Sequence, residues 1–186
     1  HGGNSTSFGR YSSTKQKTIR QIHLIHHLSI PTMHAYELFQ AVKPSIVSDM
    51  LMWMRETDRS LYKTALGGLA SNRKLRLPFL QKKPVTEQIA WVHKNLQSKA
   101  SNMIAEHLLQ VYFMQGQEAL LVTFCDALDI PHNGKGQVEG NIPEVIDAEK
   151  LKGAIDALLE GNDPALVTLY LRTFNLQTPD GWSAMT

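Results

Sequence analysis

The sequence predicts an all-α protein of about eight helices arranged as antiparallel helical hairpins. Three observations lead there. Apolar residues recur every three or four positions along almost the whole chain, the period that lines one face of a helix. Pro, Gly, Ser, Thr and Asp fall between these stretches, where helix starts and stops need them. No run of Val, Ile and Thr alternates with polar residues and no hairpin dipeptide joins two such runs, so no strand is expected.

Residues 1–14 (HGGNSTSFGRYSST) have no apolar period and read as a flexible arm ahead of a single helical domain, residues 15–186. Ile19, Ile22, Ile25 and Leu28 form the first stripe, with Ser13 or Thr14 as its cap and Pro31 as its end. Thr32 opens a short helix carrying Met33, Tyr36 and Phe39. Pro44 and Ser45 open a long one through Ile46, Val47, Met50, Leu51, Met54, Leu61, Leu66 and Leu69, which is expected to break near Gly67-Gly68 or Ser71-Asn72. Pro78 interrupts a strongly basic stretch over residues 73–83. Pro84 and Thr86 start a helix with Ile89, Val92 and Leu96, and another runs over about residues 101–115 with Ile104, Leu108, Val111 and Tyr112. The chain turns at Gly116, returns through Leu120, Leu121, Phe124 and Leu128, and enters a loop over residues 131–146. Asp147 caps a helix through Leu151, Ile155, Leu158 and Leu159 that stops at Gly161. Asp163 and Pro164 then open the last one, through Leu166, Leu169, Tyr170 and Phe174.

The 186 residues can bury a sizeable core without disulfides or metals. The one cysteine, Cys125, cannot bridge within the chain, so nothing indicates an oxidising compartment. No stretch approaches the roughly 18 uninterrupted apolar residues of a membrane span, so no membrane partner is expected. The start His1-Gly2-Gly3 lacks the apolar segment of a signal peptide, and cytoplasm is the default location. The end at Trp182–Thr186 has no clear stop, and part of a further element is expected to be missing.

The net charge of +2 conceals an uneven distribution. Residues 1–100 carry 15 Lys/Arg and 5 Asp/Glu, a local net of +10, whereas residues 101–186 carry 4 and 12, a local net of −8. The basic half of the helical domain is thus residues 15–100 and the acidic half residues 101–186. The simpler expectation is that the two halves attract each other within one fold; the alternative is that the basic half faces an anionic partner.

One internal regularity stands out. Residues 113–118 (FMQGQE) align with residues 158–163 (LLEGND) at an offset of 45, and Leu121-Val122-Thr123 then aligns with Leu166-Val167-Thr168. A fainter copy centres on Asn72. Two helices joined by a tight turn, with glycine in the left-handed conformation a helix end uses, account for the pattern. The spacing suits a short two-helix-repeat, solenoid-like array in the C-terminal half.

Chemistry-bearing residue types are scattered. His23 and His27 lie one turn apart, near His26 and His34, but a metal site needs a third ligand and no His-Glu-x-x-His pattern supplies it. Asp49, Glu56 and Asp58 near Arg55 and Arg59 read as a solvated face, with Glu56 and Arg59 as a pair one turn apart. Cys125 reads as a small core residue. Asn133-Gly134-Lys135-Gly136 lacks the strand and the Gly-Lys-Ser/Thr ending of a phosphate loop; it reads as a flexible loop, and as a natural place for binding. The clearest binding candidates are Arg73, Lys74, Arg76, Lys82 and Lys83, whose cations suit phosphates, with Phe79 among them able to stack on a base.

The leading expectation is therefore a non-enzymatic helical domain that binds another macromolecule, a protein first. The alternatives are a nucleic-acid-associated protein using the basic half, and a metal-dependent enzyme with a histidine site on the first helix. No metal and no cofactor is expected from any motif.

Overall fold

The computed structural model describes residues 33–176. The arm, the first expected helix with His23, His26 and His27, and the end of the chain lie outside the described residues. Those described form nine α-helices: α1 (Ala35–Ala41), α2 (Pro44–Thr57), α3 (Arg59–Asn72), α4 (Leu77–Gln81), α5 (Val85–Leu96), α6 (Asn102–Val111), α7 (Glu118–Ala127), α8 (Ala148–Leu159) and α9 (Pro164–Leu176). A 3₁₀ turn precedes α6 and a π turn, Tyr112–Gly116, follows it. No strand occurs among the described residues; the one bridge pairs His132 with Val138. The fold is all-α.

Local chemistry accounts for most helix ends. A Glu37 carboxylate oxygen accepts the His34 N–H at 2.6 Å, closing the start of α1. Pro44 and Pro164 occupy first positions, where a missing N–H is harmless. Asp147 accepts the Lys150 N–H at 2.9 Å, and Asp163 accepts the Ala165 N–H at 2.7 Å, as their place in the sequence predicts.

Packing rests on the predicted stripes. α2 turns Ile46, Val47, Met50, Leu51 and Met54 inward, against α3 and α5. α1 lies on α6 and α9, and α7 packs most extensively on α8. Phe39, Met54, Leu69, Leu96, Leu108 and Phe124, from six different helices, are fully buried. Each such burial contributes about 1.5–3 kcal/mol. An aromatic row ties the second half together: Trp53 meets Tyr112 edge-on at 5.6 Å, Phe113 reaches Tyr170 at 5.3 Å, and Phe124 meets Tyr170 and Phe174 at 5.3 and 5.1 Å.

Three expectations are corrected. The long helix breaks already at Asp58; of the two expected places Gly67 and Gly68 lie inside α3, whereas Asn72 is where α3 ends. Asp58 leaves helical geometry and its carboxylate accepts the Leu61 N–H at 3.0 Å, so it ends α2 and caps α3 together. Second, neither Gly116 nor Gly161 is among the positive-φ glycines, which are Gly134, Gly136 and Gly140. Gly116 is small because Trp53 covers it: a Cβ there would come within 3.0 Å of the indole. At Gly161 a Cβ would meet nothing within 4 Å. The two turns therefore have different physical origins. α6 runs into a π turn, and the most extensive helix pairing is of α7 with α8 across the long loop. The described backbone does not bear out a solenoid-like array.

Third, the loop is tied down. The Gly134 and Gly136 N–H groups both approach His132 Nδ1 at 3.2 Å, and the Lys135 and Gln137 N–H groups donate to Asn133 Oδ1 at 3.0 and 3.3 Å. With Nδ1 accepting, the ring proton sits on Nε2 and is donated to Asp126 at 2.8 Å. Gly136 lies directly on α7, its carbonyl accepting from the Cys125 thiol.

Candidate functional site

The Gly-rich loop is excluded as a phosphate cradle by its own hydrogen bonds. The four successive N–H groups that would face an anion are engaged by His132 and Asn133.

The predicted basic residues fall on one connected stretch of backbone, at the end of α3 and on either side of α4. Arg73 closes α3 and its Nε donates to Asn95 Oδ1 at 2.6 Å; Asn95, buried, is itself held by the Trp91 carbonyl. Lys74 sits at φ 55°, a left-handed position that reverses the chain. Arg76 precedes α4 and Lys82 follows it, both exposed. Lys83 pairs with Glu87 at 3.3 Å and lies 5.4 Å over the ring of Phe79, which is 59% exposed.

Beside them runs a feature that reading the sequence missed. Arg55 at the end of α2, Arg59, Tyr62, Lys63 and Leu66 along α3, Gln81 at the end of α4 and Gln88 in the first turns of α5 line an open cleft of about 350 Å³. Positions 59, 62, 63 and 66 share one helix face by spacing alone. Arg55, four residues before Arg59, extends the same face from the end of α2. The far wall is rigid: buried Gln88 donates to the carbonyls of Gln81 and Lys83 at 3.3 and 2.8 Å, and Tyr62 donates its hydroxyl to Gln88 at 3.4 Å. Burial raises the Tyr62 phenol above its ordinary range and the Arg55 charge opposes this in part, so Tyr62 is a neutral donor. The expected Glu56–Arg59 pair does not form. Among the described residues no carboxylate lies within 4.0 Å of Arg55, Arg59 or Lys63.

On the opposite side of α3, Leu61, Ala65 and Gly68 face Met103, Ile104 and Leu108 of α6 across an apolar groove of about 510 Å³, and Met103 is 83% exposed.

The remaining candidates carry no catalytic geometry. Burial, reinforced by Asp126, pushes the Cys125 thiol up to about 11, and it is fully enclosed. Asp58 is a cap. No group of three His, Cys, Asp or Glu side chains able to hold a metal occurs among the described residues; His34 is described and stacks on Tyr36. No described helix is long and apolar enough to cross a membrane. No family model, curated protein or solved structure matches the chain.

Proposed function

We propose that the chain is a non-enzymatic helical module that binds nucleic acid through the basic face running from the end of α3 to the start of α5. One observation carries this reading. The ion pairs among the described residues are Lys83–Glu87, His132–Asp126, Lys150–Asp129 and Lys152–Asp156. None joins the basic half to the acidic half. Among the described residues, therefore, no ion pair consumes the charge asymmetry, and Arg76 and Lys82 face solvent. Cations held on a fixed backbone suit a chain of phosphates, and exposed Phe79 among them offers a stacking surface.

The test is fluorescence anisotropy with single-stranded and duplex oligonucleotides over a salt series. If Arg73, Lys74, Arg76, Lys82 and Lys83 each neutralise a phosphate, affinity falls by about a hundred-fold or more between 50 and 200 mM salt. Lys82→Gln lowers the slope by about one. Absence of binding to either oligonucleotide at low salt overturns the reading. A protein partner, the first expectation from the sequence, is then the second reading, favoured by the apolar α3–α6 groove with Met103 exposed in it.

A further inference from the structure

Resting on the nucleic-acid reading above, we infer that the Arg55–Arg59–Lys63 cleft is a separate subsite for a phosphomonoester, the terminal phosphate of a nucleic-acid end. The cleft breaks the local rules of helix electrostatics. Arg59 is the first residue of α3, where the helix dipole disfavours a cation, and no acid occupies the first turn. Lys63 follows it at i+4, a like-charge spacing that destabilises a helix by a few tenths of a kcal/mol. Arg55 brings a third cation to the same opening. No carboxylate lines the cleft; of the two acids next to these arginines in sequence, Asp58 caps α3 and Glu56 makes no ion pair within 4.0 Å. No ion pair among the described residues neutralises these charges, and an anion seated between them relieves all three.

Shape and charge select the kind of anion. The floor of Tyr62 and Leu66 and the wall of Gln81 and Gln88 make the site concave. A group entering end-on fits a concave cleft better than one continued on both sides. A phosphodiester carries one negative charge, whereas a phosphomonoester carries about −1.5 to −2 at neutral pH, the closer match to three cations. The arginine guanidinium groups supply planar, two-pronged donors of the kind phosphate oxygens accept.

The experiment compares otherwise identical single-stranded oligonucleotides with and without a phosphate at the 5′ end, and again at the 3′ end, by anisotropy on the full chain. The phosphorylated form at one end binds about ten-fold more tightly, the gain of one additional charge-assisted contact set. In Arg59→Gln/Lys63→Gln that ratio falls to about one, whereas Lys82→Gln/Lys83→Gln weakens both oligonucleotides and leaves the ratio intact. Arg59 and Lys63 are exposed and make no hydrogen bond among the described residues, and their loss removes the unfavourable charge terms in α3, so the double variant keeps or raises its thermal midpoint. Intact binding with equal affinities for phosphorylated and unphosphorylated ends overturns the subsite and spares the nucleic-acid reading. If neither oligonucleotide binds, titration with inorganic phosphate decides the subsite by itself. Amide shifts confined to residues around Arg59 and Lys63 and lost in the double variant sustain it, with the phosphate coming from another source. Absence of such shifts overturns it.

Discussion

Replacing Gly136 by alanine tests whether the long loop is docked on α7 as tightly as its geometry implies. Two independent penalties meet at this residue. Its φ of +76° is a left-handed conformation that costs a side chain about 1–2 kcal/mol. A Cβ there would also lie 2.3 Å from Leu121 Cβ and 2.6 Å from both the Leu121 carbonyl carbon and the Val122 nitrogen. Helix backbone cannot swing aside as a side chain can, so the loop must lift, at an overpacking cost of about 1–3 kcal/mol. The combined loss of about 2–5 kcal/mol is a large share of a typical stability of about 5–15 kcal/mol. A loss of about 3 kcal/mol corresponds to a fall in Tm of roughly 6–12 °C for a chain of this size. Gly134 is the control: its φ is +81°, but a Cβ there would meet nothing within 4 Å, so Gly134→Ala carries the conformational penalty alone, about 1–2 kcal/mol. Urea and thermal unfolding followed by far-ultraviolet circular dichroism give both values. Equal losses for the two variants would refute the docking argument, because only the contact with α7 separates them.

Three other expectations follow from single residues. Asp58→Ala removes the cap of α3 and lowers stability by about 1 kcal/mol in urea unfolding, while Asp58→Asn, which keeps the accepting oxygen, recovers most of it. Lys74→Gly relieves a left-handed lysine and is expected to raise stability by about 0.5–1 kcal/mol while removing one phosphate contact; an unchanged Tm would show that the position is unstrained. Cys125 should resist alkylation in the folded protein between pH 7 and 9, reacting only as the chain unfolds. Because its folded value of about 11 lies above the ordinary 9.0, its contribution to stability is full below about 9 and is lost as pH rises through about 11; uniform alkylation at pH 8 without denaturant would contradict its burial.

The salt and phosphate-end measurements bear on different parts of the surface. The segment from Arg73 to Lys83 was legible in advance because its cations are contiguous in sequence, and runs of charge need no tertiary information to be noticed. The cleft was not. Arg55, Arg59 and Lys63 share a face by their four-residue steps alone, but the wall of Gln81 and Gln88 reaches them only through the packing of α4 and α5 on α3. The helix break at Asp58 has a local signal, since an aspartate after a run of apolar residues is a preferred N-cap. Glycine inside a helix costs little where the space beside it is needed, as it is at Gly68, where a Cβ would come within 2.9 Å of Ile104.

The repeat teaches the same lesson from the other side. Leu121-Val122-Thr123 and Leu166-Val167-Thr168 do resemble each other locally: Thr123 and Thr168 both donate to the carbonyl four residues back, at 2.9 and 2.8 Å. Their burial differs. Leu121 is enclosed in the first copy, whereas Val167 is enclosed in the second and Leu166 is only half-buried. Similar strings of apolar residues make similar helices, but which side turns inward depends on neighbours that no local comparison contains.

By itself the sequence determined the helical class, most helix starts, the core stripes, the enclosed thiol and the imbalance of charge, because periodicity, capping and composition act over a few residues. Tertiary structure alone decided which helices pair, why Gly116 must be small, that the Gly-rich loop closes on itself through His132 and Asn133, and that no ion pair among the described residues joins the two charged halves. Those outcomes depend on contacts between residues distant in the chain, and only the packed fold sets such distances.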